Sequence, residues 1–108
     1  MDAEMAFVDR VKRIIAMDEP ALLAWDENRF IERMHYEEQS AADAVELLAL
    51  NRRQLCRILR ACPPEALDRT GMHSEAGKMT ARDVLAKTVW HLDHHLKFVQ
   101  EKRKMLGK

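Results

Sequence analysis

Glycine and proline are both scarce in this chain of 108 residues, with three of each. Gly71, Gly77, Gly107, Pro20, Pro63 and Pro64 interrupt a sequence otherwise rich in Ala, Leu, Met, Glu, Lys and Arg, which favours helix nearly throughout and leaves strands almost no raw material. Only two cysteines are present. Cys56 and Cys62 lie on one helix and its end, too far apart for an unstrained bridge while that helix holds, so they read as reduced thiols of a reducing, cytoplasmic compartment. Charge of one sign is not in excess: Lys plus Arg and Asp plus Glu each number 18. No overall field therefore recruits nucleic acid or an anionic membrane. The longest apolar runs are four or five residues, far short of the ~20 that span a bilayer. The opening MDAEMAF has no basic stretch leading into an apolar one, so it is not a secretory signal.

A chain of this length has room for a single domain, 1–108, which buries roughly two-thirds of the surface its unfolded form exposes. Phe7, Val8, Val11, Ile14 and Ile15 recur at three- and four-residue spacing and predict an amphipathic helix over 3–17, which Pro20 keeps from running on. That helical pattern is already under way at the first residues, with no capping lead-in. Asp26 is placed to cap a short helix holding Phe30, Ile31 and Met34. Ser40 with Asp43 resembles a capping box and opens a helix over 41–61, with Val45, Leu48, Leu55 and Leu59 on one face; Pro63-Pro64 ends it. An irregular segment containing Gly71 and Gly77 follows. Thr80 with Asp83 gives a second capping signal for a last helix over 81–105, whose basic end, Lys102, Arg103 and Lys104, complements the helix dipole.

The expected architecture is thus all-α, three long helices and one short one. A four-helix bundle buries four apolar stripes and this chain offers three, so one stripe is left for another chain to cover, and a homodimer or higher homo-oligomer is expected.

On the last helix, taking Val84 as the origin, Thr88 falls at roughly +40°, His91 at −20°, His95 at +20° and Phe98 at −40°. Both histidines lie within the apolar arc, one turn apart, a spacing at which two imidazoles reach one metal ion. His94 falls on the charged edge and Asp93 points away. A firm site needs a third ligand. His73, His35, Asp2 and Glu4 are the candidates the sequence offers. A pair of core histidines satisfied by hydrogen bonds is the competing reading of His91 and His95.

Several residues together carry a family resemblance: Ala24-Trp-Asp-Glu-Asn-Arg-Phe30, Tyr36, Arg52 or Arg53, Arg69-Thr-Gly-Met-His73 with Gly77 and Thr80, and His91 with His95. Over nearly its whole length the chain resembles the DinB-like family of metal-binding four-helix-bundle proteins. The resemblance implies a divalent metal ion on three histidines, two of them matched here by His91 and His95; imidazole ligands suit zinc, nickel, copper and iron alike, so the ion's identity stays open, with zinc, nickel or iron expected. It places the third a few positions ahead of an acidic residue matched by Asp2-Ala-Glu4, hence upstream of Met1, and it places the family's first helix further upstream still; the chain reads as truncated at its N-terminus. The activity implied is that of a metal-dependent thiol transferase or hydrolase acting on a small molecule. The alternative is a helical oligomerisation module without chemistry, in which Trp90, on the charged face of the last helix, would be a contact residue. DNA binding has no basic face to support it.

Overall fold

Capping side chains decide where the helices begin. Asp26 accepts hydrogen bonds from the backbone N–H groups of Asn28 and Arg29, and Ser40 accepts one from Asp43. Thr80 and Asp83 form the full reciprocal box, each side chain satisfying the other's backbone N–H, so two donors left over at that helix start are paired. In the structure, a computed structural model that describes residues 2–107, the elements run α1 (Asp2–Ala16), β1 (Ala21–Leu22), α2 (Glu27–Arg33), α3 (Ala41–Ala61), β2 (Thr70–His73), β3 (Gly77–Thr80) and α4 (Ala81–Met105). Short 3-10 turns occupy Tyr36–Glu38 and Pro64–Asp68. The helical elements are three long helices and one short one, as the sequence predicts.

The strands correct the expectation of an irregular segment before α4. β2 and β3 pair antiparallel, from Thr70 opposite Thr80 to His73 opposite Gly77, and β1 joins β2 in parallel with Ala21 opposite Met72. The runs are too short for the alternation that marks a strand in sequence. They are made by pairing: the Met72 N–H donates to the Pro20 carbonyl at 2.9 Å and the Ser74 N–H to that of Leu22 at 3.0 Å. Gly77 closes the hairpin at a φ of +80°, a conformation open to glycine.

Val8, Val11, Ile14, Leu22, Leu55, Ala81 and Val84 form the buried core. α1 lies at its centre, packing against α3 and α4, and runs antiparallel to α4. At one end the Phe7 ring meets His91. At the other, Arg69 donates to the Ile14 carbonyl while its own carbonyl accepts from the Ala81 N–H.

This arrangement leaves α4 covered only along its first half. From Asp93 to Gly107 every residue is exposed, so Phe98, placed by periodicity in the apolar arc, is instead 50% exposed, as are Leu96 and Val99 to a similar degree. On α3 only Leu55 of the expected face is fully buried, and Val45 stands 64% exposed. Periodicity identifies a stripe; a neighbouring element has to reach it before it is buried. Cys56 and Cys62 are both free thiols. Among the described residues, no helix is long and apolar enough to cross a membrane.

Candidate metal centre

The first half of α4 is held firmly. Val84 and Thr88 are buried, and the Thr88 hydroxyl donates to the Val84 carbonyl at 2.8 Å. Below the histidines, Arg52 on α3 forms an ion pair with Glu4 on α1 and donates to the Thr88 carbonyl of α4, tying three helices at one level. Glu4 is 4% exposed, and a carboxylate that deep requires such a partner.

One turn above Thr88, His91 is half-buried with its ring edge-on to Phe7, centroids 5.4 Å apart and planes at 77°. Burial, and after it the neighbouring charge of His95, pushes the His91 imidazole below its ordinary pKa. The shift favours the neutral ring, the form that ligates a metal. His95 departs from the reading that both rings face inward: it is exposed, at the rim of the cavity.

The Nε2 atoms of His91 and His95 are 3.1 Å apart, with ring planes at 77°. Two imidazole nitrogens at about 2.0–2.1 Å from one ion are separated by about 2.9 Å for octahedral and about 3.3 Å for tetrahedral ligation. The observed separation lies between these, so the pair fits two adjacent positions of a single coordination shell. It fits equally a direct hydrogen bond between a donating and an accepting ring nitrogen.

Both imidazoles line a cavity of 590 Å³ formed by the start of α1, by Trp25, by α2 and the turn after it, by the start of α3 and by Leu92. Asp2 and Glu4 also line it, but each is engaged: Asp2 accepts a 2.5 Å hydrogen bond from the Tyr36 hydroxyl, and Glu4 holds Arg52. The Asp2 carboxylate raises the Tyr36 phenol to about 12.

The other candidate ligands lie elsewhere. His35 is exposed in a left-handed conformation, 4.0 Å from Glu38. The Nδ1 atom of His73 accepts from the backbone N–H groups of Glu75 and Ala76 and so builds the β2–β3 turn. His94 stacks on Trp90 along the exposed face, ring centroids 4.9 Å apart. Among the described residues, no three His, Cys, Asp or Glu side chains converge as a metal-binding group. The chain brings two imidazoles together, His91 and His95, and neither His73 nor His35 joins them.

Trp25, Glu27, Ile31 and Leu48 line the cavity although periodicity assigns them no site role. Trp25 falls within the stretch that carries the family resemblance, which is the one signal by which it was legible. Their convergence depends on how α2 folds back toward α4.

A model of the DinB superfamily matches residues 1–99. A protein of Oceanobacillus iheyensis named a "putative metal-dependent hydrolase" is 29% identical over 95 residues, which cover 88% of this chain and 55% of that protein. Among solved structures, YfiT from Bacillus subtilis, described as a "probable metal-dependent hydrolase with an unusual four-helix bundle topology", superposes with a TM-score of 0.89 at 22% identity, covering 98% of this chain and 61% of that one. The chain thus spans a little over half the length of these two proteins. With the family model matching nearly every residue and the helices superposing on such a bundle, the chain belongs to the DinB superfamily.

Proposed function

We propose that this chain supplies two ligands, His91 and His95, to a divalent-metal centre of a hydrolase or thiol transferase. The observation that carries the reading is the 3.1 Å separation of the two Nε2 atoms at the edge of a 590 Å³ cavity. The names borne by the two similar proteins, both called metal-dependent hydrolases, support it. Bound there, a divalent ion would lower the pKa of a coordinated water or thiol and generate a nucleophile near neutral pH. The chain's own side chains prepare for this. Phe7 packs edge-on against the His91 ring, burial favours that ring's neutral form, and the Arg52 tie among three helices fixes the floor beneath it. Tyr36 keeps its proton, so its hydroxyl stays a donor. Zinc, nickel and iron all accept imidazole ligands.

Metal uptake by the purified chain tests the proposal. Equilibrium dialysis against zinc, nickel or iron(II), read by elemental analysis, should give close to one ion per chain, and His91→Ala or His95→Ala should abolish it while circular dichroism shows the helices intact. A well-folded wild-type chain that takes up none of the three ions would sink the reading.

The second reading, a helical association module, is favoured by the exposed Val45, Leu96, Phe98 and Val99. The partner proposed is a second copy. Basic Lys102, Arg103 and Lys104 give the last turn of α4 an end that complements acidic Glu37, Glu38 and Asp43 at and before the start of α3. Two copies meeting at this end would pair opposite charges around the apolar residues. Light scattering at micromolar concentration should then report a dimer or larger species, and a monomer would end this reading.

A further inference from the structure

The ionisable side chains lining the cavity are not balanced in the way the chain as a whole is. Asp2, Glu4 and Glu27 line it together with the two histidines, and among the described residues no Lys or Arg does, although the chain carries 18 basic and 18 acidic residues. Arg52 neutralises Glu4 from behind. The positive helix ends at the cavity are answered locally, that of α1 by Asp2 and Glu4 and that of α3 by Asp43. Glu27 makes no ion pair among the described residues, and it lines the cavity with Trp25 and both histidines.

The rest of the wall is apolar or aromatic. Trp25 is half-buried, braced edge-on by Phe30 at 4.7 Å, and Ile31, Leu48 and Leu92 stand near it in the lining. An indole surface beside the Glu27 carboxylate, unpaired among the described residues, attracts an ammonium group through both the ring quadrupole and direct charge, while the apolar wall takes a hydrocarbon portion. A carboxylate or phosphate on the ligand would meet Asp2 and Glu27 with no lysine or arginine among the described lining residues to hold it, and like charges so juxtaposed are costly.

From this we infer that the cavity selects ligands bearing a cationic amine next to an apolar group, and discriminates against anionic ones. This names the substrate class of the proposed metal centre and rests on the reading of that cavity as its substrate site. The amine would lie toward Trp25 and Glu27, leaving the functional group that reacts at the histidine pair.

Three ligands of matched shape test it without requiring a metal: phenethylamine, 2-phenylethanol and 3-phenylpropionate, titrated into the metal-free chain. The readout is the Trp25 indole N–H resonance, assigned by its persistence in Trp90→Phe. Phenethylamine should bind about ten-fold more tightly than 3-phenylpropionate, a difference of about 1.4 kcal/mol, with the alcohol between them. Glu27→Gln, at an exposed position that leaves the fold intact, should erase most of that preference. Equal or tighter binding of the carboxylate, or an amine that leaves the Trp25 resonance unmoved, would overturn the inference. Repeating the titration with zinc separates the two proposals. If the chain binds no zinc, the metal reading falls while the amine preference is still decided by the metal-free data; if zinc binds and the carboxylate then wins, the substrate class is wrong and the metal centre stands.

Discussion

Tyr36 donates its hydroxyl proton to Asp2 across 34 positions of sequence, pinning the turn that follows α2 to the first turn of α1 at the wall of the histidine cavity. The bond is polar and only partly screened, and it raises the phenol to about 12. A folded-state pKa above the ordinary 10.0 means that the native chain holds this proton more tightly than the unfolded one. Its contribution to stability is fully present below pH 10.0 and is lost as pH rises toward about 12.

Because Tyr36 is the only tyrosine in the chain, the absorbance of phenolate near ~295 nm reads this one group. We expect a midpoint near 12 in the native protein, falling toward 10 in Asp2→Asn, since the hydrogen bond to the carboxylate is the largest cause of the shift. An unshifted wild-type midpoint would show that the pair does not form in solution.

Arg52 should be among the residues least tolerant of truncation outside the apolar core. Arg52→Ala leaves Glu4, 4% exposed, without its cation and frees the Thr88 carbonyl, a loss of about 3 kcal/mol by the behaviour of broken buried pairs. Urea unfolding measures it. The double variant Glu4→Leu with Arg52→Leu should recover much of the loss, because it removes both charges together.

Gly71 is enclosed. A methyl group added there would sit 3.0 Å from the Pro20 carbonyl oxygen and 3.1 Å from both Ile14 Cγ1 and Leu22 Cδ1. Gly71→Ala must therefore push β1 away from β2 or displace core side chains, and is expected to cost about 1–3 kcal/mol in thermal or urea unfolding. The oxygen is backbone, so little relaxation is available.

The two long-helix caps should differ in worth. Thr80→Ala removes a hydroxyl that takes part in a reciprocal pair of bonds, whereas Ser40→Ala removes a single acceptor. Each loss should fall near 1 kcal/mol, with Thr80→Ala the larger in urea unfolding. The opposite order would indicate that the start of α3 is better packed in solution than that of α4.

Much of this architecture was legible along the chain. The boundaries of α3 and α4 follow from Ser40, Pro63, Thr80 and the apolar spacing between them, because capping and helical periodicity are local properties that a sequence displays directly. The separation of His91 and His95 by one turn is local in the same sense, and so is the exclusion of His94 to the other edge. The resemblance to the superfamily is likewise visible in the sequence.

Tertiary packing decided the remainder. Whether an apolar stripe is buried depends on which neighbours pack on it: Val84 on α4 is buried, while Phe98 and Val99 farther along the same stripe are about half exposed. The small sheet exists because three runs too short to announce themselves find each other's backbone groups. The cavity gathers Asp2, Trp25, Glu27 and Tyr36 around the two imidazoles, residues separated by long stretches of chain. Sequence thus fixed what each helix is, through interactions within a few residues. The fold fixed what each helix faces, since burial and charge balance are properties of groups brought together from a distance.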